Sequence, residues 1–283
     1  MRFSIDPPKM PLGTAGPVKK AEKLVGHSEP FIVLNGDIFA DINYRELFDA
    51  HLKSNASATI ALCKVEDPCR YGVAEMTENN LIKRFIEKPS RDKAPSNLIN
   101  AGVYVLNPSV LGLIPEGRAV SMEREIFPKL AEEGKLAGHM INGSWIDIGK
   151  PEEYLKTNQL ILDQTVKTLK QRKTKTFQLI GPVALDKGVR VEHKSVIGPY
   201  AIIGKNVTIG QSARISNSVI FPNTKIDDFA AIDGAIIGEG AHIGKNAQIQ
   251  SGSIVGDHAK IKENICLSGK AHVCPAREVS ENF

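Results

Sequence analysis

The sequence predicts an α/β domain followed by an all-β parallel β-helix. Three observations carry this: a six-residue aliphatic period from Leu179 to Val273, alternating apolar runs and amphipathic segments before it, and a basic stretch between the two. The period reads Leu179, Leu185, Val191, Ile197, Ile203, Ile209, Ile215, then Ile220, Ile226, Ile232, then Ile237, Ile243, Ile249, Val255, Ile261, Leu267, Val273. Two steps, Ile215 to Ile220 and Ile232 to Ile237, are five residues long. Gly follows the aliphatic at positions 198, 204, 210, 238, 244 and 256. Such a period marks stacked hexapeptide coils, each giving one short strand and one turn. The aliphatic points inward onto its counterpart one coil away, and Gly is expected to serve the turn by tolerating positive φ. A single coil cannot bury its side chain alone, so the coils stack.

The expected organisation is an α/β domain over 1–165, a basic linker over 166–176 (Lys167, Lys170, Arg172, Lys173, Lys175), a β-helix over 177–275 and a tail over 276–283. Within the first part, a helix follows Gly16 and runs to about Val25, and Phe31–Leu34 reads as a short buried strand ending in Asn35-Gly36-Asp37. Asn43 caps a helix to about Ser54, with Glu46 as capping-box partner. Strands follow at Ala58–Leu62, Gly72–Met76, Leu81–Ile86 and Asn100–Leu106, the second and third joined by a turn at Glu78-Asn79-Asn80. Ser121 caps a helix ending near Gly134, Leu136–Ile141 is a strand, and Pro151 opens a last helix. The alternation implies a mostly parallel sheet covered on both faces, with ligands at the carboxyl ends of its strands.

With 283 residues, 42% hydrophobic and 24% charged, the composition is that of an ordinary globular chain. The net charge of +4 gives no argument for a nucleic-acid partner. No window reaches the ~18 apolar residues of a membrane span, and Met1–Pro8 has no signal-peptide pattern. Cys63, Cys69, Cys266 and Cys274 lack metal-site spacing, which fits reduced thiols and a cytoplasmic setting.

Several short motifs carry chemistry, and each has a plainer reading. Asp37 and Asp147 both fall at strand ends and together suit a Mg2+ ion that also takes phosphate oxygens; Asn35-Gly36-Asp37 is equally a simple turn. In Glu87-Lys88-Pro89, Lys88 suits a phosphate as a compact charge and Glu87 suits sugar hydroxyls, or the motif is a charged turn. The Leu12–Gly16 loop offers Gly13 and Thr14 to a ligand or caps the helix that follows. Asn100 and the Gly72 backbone are further candidate sugar contacts.

Together and in this order, Leu12–Gly16, Asn35–Asp37, Tyr71-Gly72, Glu87–Pro89, Asn100–Gly102 and Trp145–Gly149 resemble the sugar-1-phosphate nucleotidyltransferases. With the C-terminal repeats, the chain is most similar to the mannose-1-phosphate guanylyltransferase branch, and the resemblance spans nearly its whole length. It implies a nucleotidyltransferase sheet followed by a left-handed β-helix, and a reaction of a nucleoside triphosphate with a sugar 1-phosphate that yields an NDP-sugar and pyrophosphate. GTP and mannose 1-phosphate are the first expectation, and glucose 1-phosphate with a UTP or dTTP donor the next. By resemblance Asp37 and Asp147 hold Mg2+, Lys88 binds the sugar phosphate, Glu87, Asn100 and Gly72 hold the sugar, and Gly13 and Thr14 lie against the base.

One departure bears on activity. The family's opening loop, roughly Gly-Gly-x-Gly-Thr-Arg-Leu followed by Pro-Lys-Pro, is absent, and Met1 falls just before Leu12–Gly16. The expectation is a start assigned at an internal Met, or a truncated or split product, with weak or no activity in this chain alone. Two other functions are open. His193, His242, His258 or His272 in the repeats suits an acyltransferase base, and a non-catalytic assembly or regulatory role suits the flat sides of the coils. Those sides also make homo-oligomer contacts an expectation.

Overall fold

The computed structural model describes residues 2–26, 28–165, 172–173 and 176–282. It forms two compact units, Met1–Asp147 and Ile148–Phe283. Lys167, Lys170 and Lys175 of the expected basic linker lie outside the described residues, whereas the backbone of Arg172–Lys173 pairs antiparallel with Gln178–Leu179.

The first unit runs α1 (Gly16–Lys20), α2 (Glu22–Val25), β1 (Phe31–Leu34), β2 (Ile38–Ala40), α3 (Tyr44–Ser54), β3 (Ala58–Lys64), β4 (Gly72–Met76), β5 (Ile82–Glu87), β6 (Leu98–Leu106), α4 (Phe127–Glu132), β7 (Leu136–Met140) and β8 (Trp145–Asp147). The sheet order is β5-β4-β6-β3-β7, with β1 also on β6. Its pairing is mixed rather than mostly parallel. β3 and β7 are parallel, as their long connection through α4 allows. The β4–β5 hairpin turns at Asn80 (φ 60), and a direct hairpin is necessarily antiparallel. β6 runs antiparallel to β1, β3 and β4.

Both faces of the sheet are covered because side chains alternate along each strand. Ile60 and Leu62 of β3 face Phe127 and Leu130 of α4, while Ala61 and Cys63 face Leu47 of α3. Asn43 caps α3, its side chain accepting from Arg45 N and Glu46 N. The helix expected after Ser121 begins as a π-helical turn, Met122–Ile126, before α4. Pro128 has no N–H for the ordinary ladder, and the widened turn accommodates it. The helix expected to Val25 is split at Ala21. β1 is half-buried, not buried, and Leu34 at its end is 51% exposed.

All four cysteines are free, and burial pushes the Cys63 thiol up to about 12. His51 is buried in α3, with Nδ1 on Thr59 Oγ1 (2.8 Å) and Nε2 on Asn107 Oδ1 (3.1 Å).

The second unit includes α5 (Pro151–Thr165), which thus groups with the solenoid and not with the expected 1–165 domain. Parallel strands then stack in three ladders. The first runs from Gln178–Leu179 to Cys266–Leu267, the second from Val183–Leu185 to His272–Val273, and the third from Arg190–Val191 to Glu278–Val279. The solenoid thus extends into the expected tail. Stacked aliphatics such as Ile209, Ile226, Ile243 and Ile261 form one continuous buried column. The two five-residue steps fall at the same corner in successive coils, past Asn217 (φ 50) and Gly234 (φ 62). Both coils shorten together, so Ile215 still pairs with Ile232 and Ile220 with Ile237.

The role of the repeat glycines differs from expectation. Of the six, only Gly198 has positive φ. At the others the constraint is space: a Cβ on Gly244 would lie 2.7 Å from Glu263 N, and one on Gly238 2.6 Å from Asp257 N. The left-handed residue comes two positions later, at Asn206, Ser212, Gly240, Asn246 and His258. Asn tolerates that conformation, and corner amides bridge coils, Asn206 Nδ2 to Asn223 Oδ1 at 3.2 Å and Asn246 Nδ2 to Asn264 Oδ1 at 3.1 Å. Four successive outward positions of the second ladder are apolar (Ile202, Val219, Ile236, Ile254) before His272, in contrast to Arg190, Lys225, Lys260 and Glu278 on the third. Leu155 of α5 lines a groove with Ile236 and Ile254, which explains why this helix groups with the solenoid.

Two outcomes follow. Gly244→Ala destabilises the solenoid by roughly 1–3 kcal/mol through overpacking, whereas Asn246→Gly is milder; denaturant unfolding of each variant reads the difference. Burial lowers the His51 pKa, with the hydrogen bond to Asn107 opposing it. The folded value therefore lies below the unfolded value of about 6.5. Stability from this site is intact above that pH and is lost as pH falls below it. Urea midpoints of the first unit should drop as the pH falls below about 6.5, and His51→Gln should flatten that slope.

Candidate active site

The candidate site forms where β6 changes partners. Val103–Leu106 lie against β1, while Ile99 lies against Val73 of β4. On the other edge the register shifts: Tyr104 faces Ile60 but Asn100 faces Leu62. The extra residues Ala101–Val103 bulge, with Gly102 at φ 72, and such bulges re-aim neighbouring groups. Gly102 O accepts from Asn35 N at 2.9 Å, which fixes the Asn35-Gly36-Asp37 turn. Ala101 O accepts from Trp145 Nε1 at 2.9 Å. Asn100 Oδ1 accepts from Gly102 N (2.8 Å), and its Nδ2 donates to the Tyr104 hydroxyl (3.2 Å).

The end of the β4–β5 hairpin closes a second side. Gly72 pairs with Glu87 across the hairpin. A side chain at Gly72 would collide with the Phe85 ring and come within 3.0 Å of Glu87 Oε2. The glycine thereby makes room for both. Lys88 N donates to Tyr71 O at 2.9 Å. Lys88 takes φ 49 directly before buried Pro89, where extended backbone is the norm. Its side chain is 59% exposed and its ammonium lies 3.8 Å from Glu87 Oε1, a contact weak enough to yield to an anion. Burial pushes the Glu87 carboxyl up, the nearby Glu123 carboxylate adds to this, and Lys88 and Arg124 oppose it. Tyr71 meets the Trp145 ring edge-on, with centroids 5.3 Å apart.

A two-stranded ribbon supplies the acidic side. β2 and β8 pair antiparallel with Ile38 opposite Asp147 and Phe39 opposite Ile146. Asp37 is therefore one position from Asp147 across the ribbon. Among the described residues no group of three or more His, Cys, Asp or Glu side chains is placed to hold a metal ion. The register brings the backbones of Asp37 and Asp147 together, and Mg2+ needs only one or two protein carboxylates, completing its shell with water and substrate phosphates.

The Leu12–Gly16 loop is built against residues 120–123. Val120 N donates to Leu12 O (3.0 Å) and Ala15 N to Val120 O (2.9 Å). Gly13, at φ 76, leaves no room for a Cβ beside Val120 O. Thr14 Oγ1 donates to Glu123 Oε2 (2.6 Å) and accepts from Met122 N (2.8 Å). Glu123 was not singled out in the sequence, where Ser121–Glu125 reads as a helix start. Of the repeat histidines, His242 Nε2 bonds Asp227 Oδ2 at 2.7 Å, His193 lies 3.8 Å from Glu192, His258 occupies a left-handed corner and His272 is exposed.

Gly102→Ala would place a Cβ 2.9 Å from Asn35 Nδ2 at a positive φ. A loss of roughly 1–3 kcal/mol in unfolding free energy is expected, and a chemical-denaturation curve checks it.

Comparison with known proteins accords with this geometry. A family model described as nucleotidyl transferase matches residues 2–164, and one described as the GMPPB C-terminal domain matches residues 179–283. A probable mannose-1-phosphate guanylyltransferase 2 of Oryza sativa subsp. japonica is 39% identical over 192 residues, covering 67% of this chain and 52% of that protein. A mannose-1-phosphate guanyltransferase of Aspergillus oryzae is 41% identical over 170 residues, covering 59% of this chain and 45% of that protein. The mannose-1-phosphate guanylyltransferase catalytic subunit beta of Drosophila melanogaster is 44% identical over 146 residues, covering 51% and 39%. The chain spans about half the length of the first of these relatives. With more than half of its residues matched by one model, the chain belongs to the nucleotidyl transferase family.

Proposed function

We propose that this chain carries the sugar-phosphate half of a sugar-1-phosphate nucleotidyltransferase site, with mannose 1-phosphate and GTP as substrates. The observation that carries the reading is the convergence of Glu87, Lys88, Asn100, the Gly72 strand end and the Asp37/Asp147 ribbon around the β6 bulge. The similarity to mannose-1-phosphate guanylyltransferases supports the choice of sugar and base.

In the reaction an oxygen of the sugar phosphate attacks the α-phosphorus of the nucleotide, and the bond to pyrophosphate breaks. The nucleophile is already an anion, so no protein base or covalent intermediate is needed; positioning and charge neutralisation suffice. Lys88 meets the sugar phosphate as a point charge. Glu87 and Asn100 hold sugar hydroxyls against the close-packed Gly72 strand end. Gly13 and Thr14 border the nucleotide base, with the Thr14 hydroxyl already engaged by Glu123 and Met122. Asp37 and Asp147 would hold Mg2+, which when bound would supply charge neutralisation and alignment of the phosphates.

The Gly-Gly-x-Gly-Thr-Arg-Leu segment does not occur among the 283 residues. Unaided turnover by these residues is therefore weak, and sugar-phosphate binding is the sharper test. The solenoid serves assembly, its charged third ladder and corners offering homo-oligomer contacts. No helix among the described residues is long and apolar enough to cross a membrane. The four free cysteines suit a reducing, cytoplasmic setting.

The experiment is isothermal titration of the purified chain with mannose 1-phosphate, with and without Mg2+. Binding strengthened by Mg2+ is expected. Lys88→Ala should weaken it about tenfold or more, the loss of a charged hydrogen bond. Asp147→Asn should remove the Mg2+ effect. Binding unaffected by both substitutions would overturn the reading.

A further inference from the structure

Glu123 links the two sides of the candidate site through a single carboxylate. Its Oε2 accepts from Thr14 Oγ1 at 2.6 Å and from Ser121 Oγ at 2.9 Å. Its Oε1 accepts from the Tyr104 hydroxyl at 3.4 Å. Tyr104 is 2% exposed and has one proton to give; it gives it to Glu123 and accepts from Asn100 Nδ2. Asn100 in turn fixes Gly102 N of the bulge. On the other side, Thr14 Oγ1 accepts from Met122 N, the neighbour of Glu123. A chain of side-chain bonds thus runs from the Leu12–Gly16 loop through Glu123 to the β6 bulge.

Charge and donor count both ask for a carboxylate here. All three side-chain partners of Glu123 donate to it, and an amide offers one oxygen in place of two. No ion pair neutralises Glu123 among the described residues, although Arg124 and Lys88 are near enough to act on Glu87. An unpaired carboxylate beside half-buried Glu87 is unfavourable for stability. A brace for the loop alone would be better made of neutral groups. The charge raises the Glu87 carboxyl, second only to burial, and helps keep the Tyr104 proton in place.

We infer that Glu123 is a positioning residue that sets the loop at Gly13-Thr14 and the sugar contact Asn100 together, so that both substrate subsites depend on one carboxylate. The inference rests on the sugar-phosphate reading given above. Glu123 touches neither substrate; it acts through Thr14 and Tyr104. The groups facing Glu87 are Glu123 on the turn before α4, Lys88 at the end of its own hairpin, and Arg124. Removing the Glu123 charge leaves the two cations unopposed there.

The test uses the full chain and Glu123→Gln, with Glu123→Asp as the conservative variant. Carboxyl-carbon NMR follows the titration of Glu87 without ligand, and amide exchange follows Met122 N–H. In Glu123→Gln the Glu87 titration should move down toward the ordinary carboxylate range and Met122 should exchange faster. Glu123→Asp should keep the Glu87 titration nearer native. Mannose 1-phosphate titrated into each protein should bind about tenfold more weakly to Glu123→Gln, the scale of one charged hydrogen bond, with partial recovery in Glu123→Asp. An unmoved Glu87 titration in Glu123→Gln, in a chain whose melting curve is native, overturns the role of Glu123. Absence of mannose 1-phosphate binding by the native chain overturns the substrate reading instead, and the ligand-free titration keeps the two failures apart.

Discussion

The bulge in β6 is the constraint on which the first unit turns. A regular strand would keep one neighbour along its whole edge. Here the positive φ at Gly102 lets the chain pass from β1 to β4 while β3 stays paired on the far side. The carbonyls freed at Ala101 and Gly102 are taken by Trp145 and Asn35. Those two bonds tie the Asp147 ribbon and the Asp37 turn to the same point. One backbone irregularity therefore gathers Asp37, Asp147, Asn100 and the Glu87–Lys88 corner. Buried backbone groups must find partners, and at this bulge the partners are the residues that border the candidate site.

The solenoid obeys a different constraint. At the corners that carry glycine its coils approach so closely that a methyl group after the inward aliphatic has no room. The backbone reverses two residues later, where Asn, Ser, Gly or His takes the left-handed conformation. Corner amides then bond from coil to coil. The apolar outer stripe of the second ladder gives α5 a surface to share, while the charged third ladder stays open to water.

The hexapeptide period was fully legible because inward stacking demands one aliphatic in every six-residue unit, each unit pairing with the one three units later. The strands of the first unit were legible for a similar reason, from apolar runs bounded by turns. The glycine mechanism was not, since a sequence shows which residue is small but not whether conformation or space requires it. Strand direction was also hidden: the antiparallel pairing of β6 depends on a connection without a helix and on a bulge, neither of which periodicity reports. The site residues Asp37, Glu87, Lys88, Asn100 and Asp147 stood out in short motifs, and the fold brings their backbones to one region. Glu123 escaped notice because a Ser followed by acidic residues is also how an ordinary helix begins. Its partners Thr14 and Tyr104 are distant in sequence, and only the fold places them on its carboxylate.

The measurement that bears most directly on the account is an amide chemical-shift map of the labelled chain on adding mannose 1-phosphate and Mg2+. The account predicts shifts concentrated at Tyr71-Gly72, Glu87-Lys88, Asn100–Gly102 and the Asp37 and Asp147 strand ends, with the solenoid ladders unmoved. Shifts confined to the solenoid, or none at all at saturating ligand, would contradict it.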